Sequence, residues 1–184
     1  MSKLLGQFGV SLQERDLNTL LATFASDLGL AFKSGCFSLR TRLPMGLGVS
    51  LLAIPRSTPD SLILTLPLDQ IRGDKTGGMA AMLAGGLWGV IRPVIEKRIR
   101  SELSKRHMPE ETVSLGQSQE GKTKLGLVTL HLRPLNAWLL RQPPRQGFKF
   151  NVDAIWASED QFNLILDVFH DGLSALPATP GYGR

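Results

Sequence analysis

Residues 77–106, GGMAAMLAGGLWGVIRPVIEKRIRSELSKR, are the longest stretch of this chain that reads as helix, and the other elements must be arranged around it. The first half is apolar nearly all round: Met79, Met82, Leu83, Leu87, Trp88, Val90 and Ile91 leave no polar stripe. A helix of that kind is buried or lies against another apolar surface. Glycines at 77, 78, 85, 86 and 89 each weaken a helix by up to about 1 kcal/mol relative to alanine. The segment therefore reads either as close packing on a sheet or as an adaptable wall of methionines and small residues. The second half is amphipathic, with Val94, Ile95, Ile99 and Leu103 set among charged neighbours, and Pro93 predicts a kink or a second helix start. Its six basic residues (Arg92, Lys97, Arg98, Arg100, Lys105, Arg106) against Glu96 and Glu102 leave four of the chain's five net positive charges here.

Around this segment the apolar residues repeat every second position. Phe37, Leu39, Thr41 and Leu43 alternate with Ser38, Arg40 and Arg42, Leu47-Val49-Leu51 follows, and Leu62, Leu64, Leu66 and Leu68 continue after a turn at Arg56–Asp60. Pro67 places its strand at an edge or at a bulge. Thr112–Leu115 and Leu125–Leu132 predict further strands, and Leu135–Leu140 predicts a short helix. Phe148, Phe150, Val152, Ala154 and Trp156, then Phe162, Leu164, Leu166 and Val168, predict a closing hairpin. Near the start, Ser11-Leu-Gln-Glu14 fits a capping box for a helix whose stripe is Leu17, Leu20, Leu21, Phe24 and Leu28, ended by Gly29. No strand–helix–strand alternation is sustained, so the expected class is α+β, a mainly antiparallel curved sheet packed on one long helix.

At 184 residues the chain suits one domain, expected over residues 1–175, with 176–184 (LPATPGYGR) as a flexible tail. One cysteine excludes a disulfide framework, and Cys36 reads as a small buried hydrophobe. The start lacks the apolar core and cleavage site of a secretory signal, and the apolar run 77–91 falls short of the about 20 residues that cross a bilayer. The expected location is cytoplasmic, peripheral to a membrane at most.

Gly116-Gln-Ser-Gln-Glu-Gly121-Lys122-Thr123 satisfies the G-x-x-x-x-G-K-[ST] pattern of a phosphate-binding loop. That chemistry needs a helix directly after the loop, and Lys124–Leu132 is β-rich instead, so the match reads as a polar hairpin turn. A nucleotide site on Lys122 and Thr123 is the least favoured reading. His107, His131 and His170 have no metal-ligand spacing, and no nucleophile elbow or paired carboxylates stand out. No catalytic residue, metal site or cofactor is expected, and the chain reads as non-enzymatic. Nucleic acid is disfavoured, because Phe148 and Phe150 near Arg141, Arg145 and Lys149 alternate as strand-core residues do.

The order of SLQERDLNTLL, FSLRTRL, SLILTLPLDQI, MLAGGLWGVIRPVIEKRIRSEL and GLVTLHL, over roughly residues 8–140, resembles the tubular lipid-binding superfamily, particularly its small bacterial YceB-like lipoproteins. The resemblance implies a strongly curved sheet around a long helix, with an apolar groove for acyl chains. This chain departs from those lipoproteins in showing neither a signal peptide nor a lipidation cysteine. The expected function is binding of a lipid or other long hydrophobic ligand, with Met79, Met82, Leu83, Leu87, Ile91 and Val94 lining the groove. Arg92, Lys97, Arg98 and Arg100 are the expected contacts to an anionic headgroup or membrane surface. A protein-interaction subunit, using the apolar Gly/Met-rich helix against a partner, is the alternative.

Overall fold

A computed structural model describes residues 3–24, 29–33, 35–42, 48–73 and 79–170, of which 3, 23–24, 72–73, 79–87 and 90–91 are described as backbone only. The chain order is β1 (Lys3–Gln13), α1 (Glu14–Phe24), β2 (Gly29–Lys33), β3 (Cys36–Arg42), β4 (Gly48–Thr58), β5 (Ser61–Pro67), β6 (Arg72–Gly73) and α2 (Met79–Lys105). It continues with β7 (Val113–Glu120), β8 (Thr123–His131), α3 (Leu132–Arg141), β9 (Phe148–Ala157) and β10 (Gln161–His170). The expected α+β class with a mainly antiparallel sheet is what the chain adopts. Among the described residues there are two antiparallel sheets, a small one in the order β1-β10-β9 and a large one in the order β2-β3-β4-β5-β8-β7, with β6 beside β4.

Period-two alternation becomes burial in β4, where Val49, Leu51 and Ala53 are buried and their neighbours only half so. β5 lies between β4 and β8 and is buried on both faces, which explains a run of SLILTLP with almost no polar position. Pro67 sits at neither an edge nor a bulge. It is the last residue of β5, opposite Leu125 of β8 and beyond the end of the β4 ladder, so its missing N–H breaks no bond to β4. The core lies where the two sheets meet: Phe37, Leu51, Leu62 and Leu66 of the large sheet meet Phe162 of the small one, with Leu17 and Leu21 of α1 at one side.

Three sequence expectations change. Ser11 does not cap a helix, because the chain is extended through Gln13; the Ser11 hydroxyl donates across the ladder to Asn163 Oδ1 (2.8 Å), and Asp16 accepts the Gln13 N–H (3.1 Å). Gly29 does not end that helix but begins β2, a strand with too few residues to show a period. α2 is a single helix through Pro93, so no second helix starts there. Residues 25–28, 43–47, 74–78 and 171–184, including Leu28, Leu43, Leu47 and the expected tail, lie outside the described residues.

Two helices close sheet edges through a side-chain amide. Asn18 of α1 donates to the Leu30 carbonyl (2.8 Å) and accepts the Leu30 N–H (2.7 Å), while Glu14 accepts the Phe32 N–H (3.0 Å). Asn136 of α3 does the same for β9, donating to the Val152 carbonyl and accepting its N–H, both at 2.8 Å. Val152 is buried, so removing the amide strands two backbone groups. Asn136→Ala is expected to lower stability by about 1–3 kcal/mol, read as a shift in urea midpoint with unchanged slope. A shift within error would show that water replaces the amide.

Candidate functional site

A cavity lies between the end of α3 and the start of β9. It has a volume of about 430 Å³ and is lined by Trp138 and Leu139 of α3, by Gln142, Pro143 and Pro144 after it, and by Arg145, Phe148, Lys149 and Phe150. The size is within the range of small-molecule pockets. The geometry follows from local sequence. Pro143-Pro144 cannot continue the helix, and Arg145-Gln-Gly-Phe148 makes a two-residue hairpin turn with paired backbone bonds of 3.1 and 3.0 Å. Gln146 and Gly147 both have positive φ, 53° and 83°, as the tight turn that matches strand twist requires. A side chain at 147 would also strike His170, whose Nε2 would lie 2.9 Å from its Cβ.

Trp138 is fixed by its indole N–H, which donates to the Arg106 carbonyl at 3.0 Å. Phe148 is held edge-on by the His170 ring, with centroids 5.2 Å apart. Phe150 remains 38% exposed and Leu140, close by on α3, 40%. The lining is aromatic and aliphatic along Trp138, Leu139, Phe148 and Phe150 and includes two cationic residues, Arg145 and Lys149.

The α2 residues singled out from the sequence separate into groups. Met79, Met82, Leu83, Leu87 and Ile91 lie on α2, but their side chains are outside the described residues. Val94 is 38% exposed and shares a shallow surface depression with Lys97, Arg98, Ser101, Glu102 and Lys105. Arg92 is half-buried. Arg100 forms an ion pair with Glu96 at 2.7 Å and lies by a different cleft, toward β7. A second pair, Lys105–Glu102 at 2.7 Å, holds the Glu102 carboxyl below its ordinary value, chiefly through that hydrogen bond. The small stabilisation it brings is present above the usual carboxylate range and is lost as pH falls. Trp88, between Leu87 and Ile91, is buried against Gly126 of β8, and Leu103 is the other buried α2 side chain among the described residues.

Elsewhere the chemistry is sparse. Gly116–Glu120 belongs to β7, Gly121 turns with φ 59°, and Thr123 opens β8, so the residues of the phosphate-loop pattern form a β-hairpin. No helix follows to aim N–H groups at a phosphate. Ser114 and His131 are hydrogen-bonded at 2.9 Å across β7 and β8. Among the described residues no carboxylate bonds the other ring nitrogen of His131, so the pair lacks the orienting member of a catalytic triad. No group of three His, Cys, Asp or Glu side chains converges among them either. Cys36 is a free thiol, half-buried, and donates to the Lys33 carbonyl. No helix of the described residues is long and apolar enough to cross a membrane.

The α3–β9 cavity was not legible in advance. Phe148 and Phe150 were visible as strand residues and Pro143-Pro144 as a break, but their meeting with Trp138 depends on the turn at Gln146-Gly147. No family model, curated protein or solved structure matches the chain.

Proposed function

We propose that this protein is a non-enzymatic binder of a lipid or other long hydrophobic ligand with an anionic end. The observation that carries the reading is the cavity between α3 and β9, apolar along Trp138, Leu139, Phe148 and Phe150 and cationic at Arg145 and Lys149. A buried acyl chain gains about 0.8 kcal/mol per methylene removed from water, so about ten buried methylenes supply the roughly 8 kcal/mol of micromolar retention, before the cost of association. The cations fix the polar end and set which way the chain enters. The reading extends to α2, whose residues Met79, Met82, Leu83, Leu87, Ile91 and Val94 are the proposed second apolar wall. Arg92, Lys97 and Arg98 would then meet an anionic headgroup or membrane surface, each worth about 1 kcal/mol near such a surface, while Arg100, paired with Glu96 toward β7, falls outside that group.

Native mass spectrometry of the purified protein tests the first statement, and photo-crosslinking with a diazirine fatty acid tests the place. The expected result is co-purifying lipid and labelling within residues 138–150. Phe150→Asp, at an exposed position, is expected to weaken fatty-acid binding at least about tenfold while leaving the fold intact, since it sets one anion against another. Labelling confined to residues 79–94 would move the ligand to the α2 wall. A clean apo mass together with no labelling at all would end the proposal.

A further inference from the structure

The two sheets have four edges, and they are treated differently. The outer edge of β2 is closed by Asn18 and Glu14, and that of β9 by Asn136. β7 carries an exposed polar half, Gln117-Ser-Gln-Glu120, and its start shares a cleft with Glu96 and Arg100 of α2. Such plugs and polar residues are how proteins stop sheet edges from pairing with other chains. β1 has no such plug; its polar positions are the exposed Gln7, Ser11 and Gln13, and its ladder shifts register between Leu4 and Gly6. It is eleven residues long, it is terminal in its sheet, and the single side-chain contact to its backbone among the described residues is Asp16 on Gln13, at its last position. Phe8 (55%) and Leu4 (51%) on this strand are the most exposed large apolar side chains among the described residues.

We propose that β1 pairs edge to edge with β1 of a second copy of this chain, joining two three-stranded sheets into one of six strands. The strand is suited to its own reversed sequence. From Leu4 to Gln13 it holds no ionisable residue, so a twofold pairing brings no like charges together. A twofold axis at Phe8 sets Phe8 against its copy and Gly6 against Val10. Because paired positions then differ by an even number, the apolar face carrying Phe8, Val10 and Leu12 continues on the same side across the axis. Lys3, the one charged residue of β1, falls at the end where the second chain turns into Glu14 and Asp16. An acidic peptide or an anionic membrane would need a row of cations on this edge, and the strand has none. The pairing does not depend on the ligand proposed above.

Sedimentation equilibrium of the purified chain, from low to high micromolar, is expected to show a monomer–dimer equilibrium. Hydrogen exchange is expected to show β1 amides gaining protection as concentration rises. Phe8→Lys sets two cations face to face and is expected to raise the dimer dissociation constant about a hundredfold or more. Mixing Phe8→Lys with Phe8→Glu is expected to restore a dimer. If Phe8→Lys does not fold by circular dichroism, Phe8→Glu, which sets two anions face to face, takes its place, and the concentration series on the unaltered chain decides by itself. Three results overturn the proposal: a monomer at every concentration, a dimer indifferent to the charge variants, or β1 amides protected equally in a monomer, which means that the chain covers this edge itself.

Discussion

Phe37→Ala is expected to destabilise the protein by about 3–5 kcal/mol, measured by chemical denaturation. Phe37 is 2% exposed and stands where the two sheets meet. Its ring makes edge contacts with Phe32 of β2 at 6.2 Å and with Phe162 of β10 at 5.3 Å, and Phe32 and Phe162 lie 5.8 Å apart. Phe162 belongs to the small sheet and the other two to the large one, so the trio is a joint as well as a core. Truncation removes the transfer energy of a phenyl ring, opens a cavity that β-sheets on both sides cannot collapse, and loses the aromatic pair terms. The change should also alter cooperativity, since two sheets less firmly joined can unfold apart. A loss under about 1 kcal/mol would show that the sheets are held together by other contacts.

Trp88→Ala belongs in the same range, about 3–5 kcal/mol, for a different reason. A Cβ placed on Gly126 would lie 2.8 and 2.9 Å from two carbons of the Trp88 ring, so the indole packs against β8 at a position that carries no side chain. Gly126→Ala alone is expected to cost about 1–3 kcal/mol by overpacking. The two changes are coupled: with the indole gone, the added methyl meets open space. The double variant is therefore expected to be more stable than the sum of the single losses predicts, by about 0.5–3 kcal/mol. Strict additivity would mean that the ring and Gly126 do not touch in solution. Trp88→Phe separates packing from polarity, because the buried indole N–H has no partner and its removal carries little loss.

Strands that bury one face or both were legible in the sequence, because burial imposes a period on the side chains. β3, β5 and the β9–β10 hairpin were visible for that reason, as were α2 and the short α3. β1 was not. Its sequence KLLGQFGVSLQ places two leucines side by side where the ladder to β10 shifts register, and two glycines interrupt the rest. An edge strand exposed along much of its length has little selection for alternation. β9 hides a subtler change: the register skips Asp153, pairing Leu166 with Val152 and Ile165 with Ala154. The alternation Phe148, Phe150, Val152 is thereby transferred to Ile155 and Ala157, which pack on the core, and Trp156 is turned outward at 38% exposure. A bulge of one residue leaves no mark on composition, so the reversal could only be seen in the folded chain. The candidate site shares that origin, for its lining comes from three segments brought together by a hairpin turn and a helix end.

The pairing of β1 with β10 also governs the order in which this protein is made. Ser11 and its partner Asn163 are 152 positions apart, so at roughly 5–20 residues per second the first strand waits roughly 8–30 s for the second to be synthesised. Throughout that interval Leu4, Leu5, Phe8, Val10 and Leu12 have no native ladder to join. The small sheet is thus the last part of the molecule to close on the ribosome, and its opening strand is the segment on which chaperone shielding and translation speed act most strongly.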